Sequence, residues 1–253
     1  MGLLEELNTF QSANELTGSF GEWLTKHYSN FFTDALVMHD VLIDGNNGYT
    51  SQIDVIMIGS KGVYVVEVKT FEGAKIYGNG KNSNWYYYRG GHKCEIYSPI
   101  KQNQKHIEYL KKLLADFGDI PFYSVVTMIC DDFKVENINI DPQHPDTMVC
   151  SSLPSMMKGM QILTKDRPDV FGAEDKQAVF NCISSNQHKG KASRAEHKEN
   201  VKKYKEKIEE MKKDKICPYC KVALVLRKGK FGDFYGCSNY PKCRYTLKTE
   251  KEN

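Results

Sequence analysis

The chain is expected to fold as an α/β protein, a mixed sheet flanked by helices, with a small C-terminal unit built around cysteines. Three features predict this: strand-like runs bracketed by helical stretches, two consecutive apolar strands across 52–70, and four cysteines crowded into 217–243. At 253 residues the chain is longer than one typical domain of about 100–200 residues, so two units are expected.

The elements follow in order. From residue 12, SANELTGSFGEWLTKHYSNFF sets Leu16, Phe20, Trp23, Leu24, His27 and Phe31 at helical intervals, which predicts an amphipathic first helix. ALVMHDVLI, QIDVIMIG and VYVVEVKT follow as strands, and AKIYG, NWYYYR and KCEIYS as three more, with GNGKNS and GGH as turns. SPIKQNQKHIEYLKKLLADFG opens with Ser98 as an N-cap and Pro99 at the first helical position, and stops at Gly118. FYSVVTMIC and DTMVC are further strands, and the segments around 151–163 and 173–185 are helical. Residues 187–215 are highly charged and predict a helical linker, in which Val201, Tyr204, Ile208 and Met211 make only a narrow stripe. Ion pairs at helical spacing, such as Glu199 with Lys203, stabilise it by about 0.2–0.5 kcal/mol each, which favours a solvated spacer over a coiled coil. The expected division is 10–186, 187–215 and 216–248.

With 40% hydrophobic and 26% charged residues, the composition is that of an ordinary soluble protein and excludes a disordered or membrane-embedded chain. The opening MGLLEELNTFQSANEL carries acids where an export leader needs positive charge, so the expected location is the cytoplasm, with no membrane partner. Charge is divided along the chain. Residues 1–186 hold 16 Lys+Arg against 23 Asp+Glu, and 187–253 hold 19 against 9. A basic C-terminal end suits a polyanion such as a phosphate backbone, although a solubilising tail would look the same by charge alone.

The paired strands raise the chemical question. Both their faces are apolar, as in a central strand covered on two sides, yet they carry Asp54, Glu67 and Lys69. Buried ionised groups need one another or a metal. Alternation puts Glu67 and Lys69 on one face. A two-residue turn at Ser60 and Lys61 would set Asp54 opposite Glu67, whereas a three-residue loop with Gly62 in a bulge would turn Asp54 away. Two carboxylates suit a hard divalent cation, Mg²⁺ or Mn²⁺, and a lysine beside them can orient or help deprotonate a water held by the metal, or neutralise charge on a phosphate oxygen. A simple buried ion pair accounts for the same residues.

Asp54, twelve intervening residues and then Glu67-Val68-Lys69 resemble the PD-(D/E)xK nuclease arrangement, with Ile53 in place of the proline. Together with GSFGE at 18–22, NWYYY at 84–88 and SPIKQNQKHIEYLKKLL at 98–114, the stretch over roughly 16–130 resembles the nuclease-related domain (NERD) family. That resemblance implies a nuclease-like α/β core and a metal-dependent cut of a phosphodiester, with Glu22, Asp54, Glu67, Lys69 and Gln102 as catalytic positions and Asp54, Glu67 and Glu22 as metal ligands. Glu22 also fits a surface glutamate on a glycine-softened helix. Gln102 and His106, one turn on, make a polar pair at the helix start that could touch substrate phosphate or metal-bound water; a partly buried helix amide accounts for Gln102 nearly as well, and His106 is not assigned as a base.

Cys94, Cys130, Cys150 and Cys182 are expected as buried thiols. Cys217-x2-Cys220 and Cys237-x5-Cys243 read as four thiolates around tetrahedral Zn²⁺, disulfides being disfavoured in a reducing compartment. The segment CPYC followed by LVLRKGKFGDFYGCSNYPKCRYT resembles the type IA topoisomerase zinc ribbon over 217–246. Arg227, Lys228, Lys230, Lys242 and Arg244 would meet phosphates, and Phe231, Phe234, Tyr235, Tyr240 and Tyr245 offer rings for bases, some of which must instead pack the small core. Single-stranded DNA is the natural ligand. The function expected is a metal-dependent DNA nuclease, and the alternative is a non-cutting nucleic-acid-binding or scaffold protein on the same fold.

Overall fold

The computed structural model describes residues 35–46, 48–71, 75–82, 84–129, 145–150, 153–230 and 232–249. The predicted first helix and Cys130 lie outside the described residues. Two compact units divide between Lys189 and Gly190.

In the first unit the apolar runs form a five-stranded mixed sheet in the order β1-β2-β3-β7-β8. Its strands are β1 (Leu36–Asp44), β2 (Thr50–Gly59), β3 (Gly62–Thr70), β7 (Phe122–Ile129) and β8 (Thr147–Cys150). β1, β2 and β3 run antiparallel, while β3, β7 and β8 are parallel. β3 is therefore central, which is why both its faces are apolar.

Helix α1 (Pro99–Leu113) is capped by the Ser98 hydroxyl, which accepts from Lys101 N, and it covers one face of the sheet together with α3 (Ala173–Asn186). Leu110, Leu114, Val179 and Ile183 pack there on Ile56, Ile58, Val63 and Val65. Helix α2 (Leu153–Thr164) covers the other face, with Met156, Met157 and Met160 on Val55, Met57, Tyr64 and Val66. Each such side chain, fully buried, stabilises the fold by about 1.5–3 kcal/mol relative to exposure.

Between β3 and α1 the chain makes a separate three-stranded antiparallel sheet of β4 (Lys75–Tyr77), β5 (Asn84–Arg89) and β6 (His92–Tyr97). Its inner side chains, Ile76 and Trp85, pack with Ile100, Val126 and Met128. Gly78 lets the Trp85 ring lie on the backbone, where any side chain would strike it, and the indole N–H donates to Asn79 O at 3.0 Å.

The second unit contains α4 (Lys191–Lys213) and a three-stranded sheet of β9 (Leu224–Gly229), β10 (Gly232–Cys237) and β11 (Thr246–Lys248) in the order β11-β10-β9. Helix α4 buries none of its residues, as its narrow apolar stripe predicts. Among the described residues no helix is long and apolar enough to cross a membrane.

Candidate functional site

The β2–β3 hairpin closes through the two residues Ser60 and Lys61, with Gly59 opposite Gly62, so the tighter of the two expected turns is the one formed. Gly62 has φ +136°, and a side chain there would strike the Pro121 carbonyl, to which Val63 N donates at 2.9 Å. The ladder ends at the pair Val55 and Val66. Asp54 and Glu67 stand one step beyond it, where the strands part.

The sheet is distorted at this point. On β1, Leu36 and Met38 face the same helical layer as Val41 and Ile43, so the alternation slips at Asp40, whose φ is +54°. On β2, Ile53 shares that layer with Ile56 and Ile58, so it slips at Asp54. The β1–β2 register is the same on either side of the slip. Past the end of the β2–β3 ladder, Asp54 Oδ2 accepts from Val68 N at 2.8 Å, in the place of a strand carbonyl.

Glu67 is 1% exposed and lies on the α1 side of the sheet with Val63 and Val65. Its Oε1 is 2.5 Å from Lys69 Nζ, and its Oε2 is 3.3 Å from His106 Nε2. Lys69 reaches toward solvent, its side chain 28% exposed. His106 is buried, and its Nδ1 lies 2.8 Å from Ser51 Oγ. Gln102 Nε2 is 3.5 Å from His106 Nε2. One residue after Gln102, the buried Asn103 donates from Nδ2 to Val65 O at 2.7 Å and to Ser124 Oγ at 3.0 Å, fixing α1 to β3 and β7.

The charges are poised by this packing. Burial raises the Asp54 carboxyl, and the neighbouring Glu67 charge raises it further. Lys69 and the Val68 N–H oppose both, and the result is a pKa of about 7. Burial also pushes Glu67 upward, but the Lys69 charge and His106 outweigh it and hold Glu67 below the usual carboxylate range. Burial would lower Lys69, yet the Glu67 and Asp54 carboxylates hold it above the usual lysine range, as an ammonium.

This donor set fits a divalent cation. Glu67 Oε2 is buried, and His106 Nε2, 3.3 Å away, does not meet it in good hydrogen-bond geometry among the described residues. An oxygen so placed is costly unless a positive partner completes it. Asp54 supplies a second hard oxygen donor, the type that Mg²⁺ and Mn²⁺ prefer. The structure thus brings together Asp54, Glu67, Lys69 and Gln102, while Glu22 lies outside the described residues. It gives His106, expected as the polar neighbour of Gln102 on one helix face, a place between Glu67 and Ser51. It adds Ser51 and Asn103, for which the sequence carried no signal.

In the second unit the sulfurs of Cys217, Cys220, Cys237 and Cys243 all lie within 4.8 Å of one another, and Cys217 Sγ is 3.8 Å from Cys243 Sγ. Four sulfurs at about 2.3 Å from a tetrahedral Zn²⁺ would stand about 3.8 Å apart, so the cluster fits that ion. Asn239 supports it, donating from its backbone N to Cys237 Sγ at 3.4 Å and from Nδ2 to Cys220 Sγ at 3.7 Å.

Strand parity decides which rings fill the small core. Tyr245 is 6% exposed among Cys217, Leu224 and Cys237, and Tyr235 is half-buried against the same cluster. Phe234 pairs with Arg227 across β10 and β9 and lies on the other face, and Arg227 stacks on the exposed Tyr240 ring at 5.5 Å. Lys228, Lys242 and Arg244 are exposed, as is Lys230, and Phe231 lies outside the described residues.

Residues 17–129 match the family described as Nuclease-related domain, and residues 214–252 match Topoisomerase DNA binding C4 zinc finger. A DNA topoisomerase 1 of Methanocaldococcus jannaschii is 53% identical over 45 residues, 18% of this chain and 6% of that protein. An uncharacterized protein of Bacillus anthracis is 40% identical over 78 residues, 31% of this chain and 36% of that protein. A DNA topoisomerase 1 of Helicobacter pylori is 30% identical over 122 residues, 41% of this chain and 16% of that protein. The chain therefore spans well under two thirds of the length of these relatives. No solved structure matches the chain.

Proposed function

We propose that a nuclease-related domain and a topoisomerase-type C4 zinc finger, joined in one chain, form a metal-dependent nuclease that hydrolyses phosphodiester bonds of DNA. The observation that carries this reading is Glu67, a buried carboxylate with one oxygen paired to Lys69 and the other, 3.3 Å from His106, without a well-formed hydrogen bond among the described residues, set beside Asp54 where the ladder opens.

Asp54 and Glu67 would hold Mg²⁺ or Mn²⁺, with Glu22 as a further oxygen ligand. When bound, the cation would supply Lewis-acid polarisation of the phosphate and of the attacking water. Lys69 is an ammonium at neutral pH, so it donates to a phosphate oxygen and neutralises the charge developing there, and does not act as the base. His106, set by Ser51, orients Glu67, and Gln102 positions water or phosphate from the start of α1. Water oxygen bonds to phosphorus as its proton passes to solvent water, the bond from phosphorus to the leaving sugar oxygen breaks, and that oxygen takes up a proton from solvent.

The ribbon would hold Zn²⁺ on its four cysteines and bind DNA, preferentially single-stranded. Arg227, Lys228, Lys230, Lys242 and Arg244 would meet phosphates, and Phe231, Phe234 and Tyr240 would meet bases, Tyr235 being turned to the cysteine core. Catalysis would then belong to the acidic part at 10–186 and strand binding to 216–248, joined through 187–215. We place the protein in the cytoplasm, where thiols stay reduced for zinc.

The test uses the purified full-length chain with Mg²⁺ or Mn²⁺ on single-stranded DNA, duplex DNA and RNA. Lys69→Ala and Asp54→Asn are expected to slow cleavage by about 10²-fold or more, with oligonucleotide affinity within about twofold. Wild-type rates in both variants would refute these roles. No cleavage of any substrate by the wild-type protein would favour a non-cutting platform, which the direct Lys69–Glu67 ion pair also suits.

A further inference from the structure

The outer face of the small sheet is the opposite of its inner one. Along β5, Trp85 and Tyr87 turn to the core, whereas Tyr86 and Tyr88 turn outward. Register sets Tyr77 across from Tyr86, and Tyr88 across from Lys93. The Tyr77 and Tyr88 rings meet edge to face at 5.6 Å, and Lys93 Nζ sits 3.8 Å above the Tyr86 ring. Tyr77 and Tyr88 are 43% and 40% exposed, a large outlay of aromatic surface for a three-stranded sheet. These three tyrosines and Lys93 line a concavity of about 400 Å³.

We infer that this concavity is a second DNA-binding site, in which the tyrosines stack unpaired bases and Lys93 meets the adjoining phosphate. Three tyrosines and one ammonium line it, and the carboxylate beside them, Glu95 opposite Tyr86, is held by Asn84 Nδ2; rings next to an ammonium suit a flat, π-faced, anionic ligand, which a nucleotide unit is. A sugar would need carboxylates or amides for its hydroxyls, and the ones on this face, Glu95 and Asn84, are already bonded to each other. Base–tyrosine stacking is sequence-tolerant and needs unpaired bases, which selects a single strand over a duplex.

The position favours the strand that is to be cut. β4 follows β3, which carries Glu67 and Lys69, and β6 leads through Ser98 into α1, which carries Gln102 and His106. On its inner side the sheet is fastened by Trp85 to Val126 and Met128, the residues that pair in register with Glu67 and Lys69. The platform is therefore carried by the same elements as the candidate active site. The inference rests on the reading of the chain as DNA-binding and does not require cleavage.

The test measures affinity of the full-length, zinc-loaded chain for a dT12 oligonucleotide with no added Mg²⁺ or Mn²⁺, so its outcome is separate from that of the cleavage assay. Tyr86→Leu with Tyr88→Leu keeps apolar area on the face but removes the rings, and should weaken dT12 binding at least about tenfold. Tyr86→Phe with Tyr88→Phe should bind as the wild type does. A strand of equal length without bases should bind wild type and the Leu variant equally weakly. Photocrosslinking of the wild type with a 5-iododeoxyuridine strand should mark the segment 77–93. Unchanged affinity in a folded Leu variant, or adducts confined to 216–249, would overturn the site. Tighter binding of rU12 than dT12 would overturn its assignment to DNA.

Discussion

At Asp54 a single carboxyl reports the state of the whole candidate site. Its pKa is raised to about 7, so between about pH 4 and 7 the folded chain holds a proton that the unfolded chain has lost. Stability from this proton is complete below about pH 4 and is lost as the pH rises through 7. Allowing for partial exposure, the metal-free protein should lose roughly 2 kcal/mol between pH 5 and 8 from this group, and Asp54→Asn should remove that loss. Urea denaturation at the two pH values checks it. For the same reason Mg²⁺ affinity should increase with pH up to about 7 and level off above, since a ligand carboxyl must shed its proton. Asp54, Glu67 and Lys69 were legible because acids and a lysine are anomalous on apolar strands. His106 was legible only as the neighbour of Gln102, because a histidine on a helix announces no partner until Ser51 and Glu67 are folded around it. The switch of faces at Asp40 and Asp54 was hidden too, since strict period-two alternation has no place for it.

The β2–β3 hairpin and α1 carry the geometry at the scale of elements. Apolar alternation, turn residues and the Ser98–Pro99 start made both readable in advance, whereas the choice of register was settled by Gly62, whose positive φ and close packing on Pro121 admit the tight turn. Gly62→Ala adds left-handed strain and a clash with that carbonyl, and should cost at least about 2 kcal/mol of unfolding free energy. Asn103 is the second fastening. Asn103→Leu leaves the site intact in composition but frees α1 from Val65 and Ser124, and should lower stability by about 1–3 kcal/mol. Thermal denaturation with retained helical circular dichroism measures both. The small sheet was readable as three strands, but which of its tyrosines face outward depends on where Trp85 finds its pocket, and that is a matter of tertiary packing.

Across the whole molecule, the proposed function divides the tasks by charge and metal. The acidic part would draw phosphate only locally, at the Asp54–Glu67 cation site and at Lys93, and the basic C-terminal end would supply attraction. Five ribbon cations engaging a single strand imply that log affinity falls with log salt at a slope of about −3 to −4, and a flat dependence in a salt titration would speak against phosphate-led binding. The ribbon is too small to fold on its apolar residues alone, so Cys217→Ser or a zinc chelator should melt it and weaken binding to a single strand, while the α/β unit keeps its own transition. Of this, the four-cysteine cluster was legible from cysteine spacing. The nuclease-related resemblance expected over roughly 16–130 is matched at 17–129.

Asp54 and Glu67 are expected to take up a hard cation beside the Lys69 ammonium. A crystal of the full-length chain soaked with Mn²⁺ and a short single-stranded oligonucleotide, its anomalous scattering measured at the manganese edge, decides it. One Mn²⁺ is expected at about 2.1–2.3 Å from an oxygen of each carboxylate, with Lys69 Nζ turned from Glu67 toward a phosphate oxygen. An anomalous map with no peak between the two carboxylates, and Lys69 still bonded to Glu67, would contradict it.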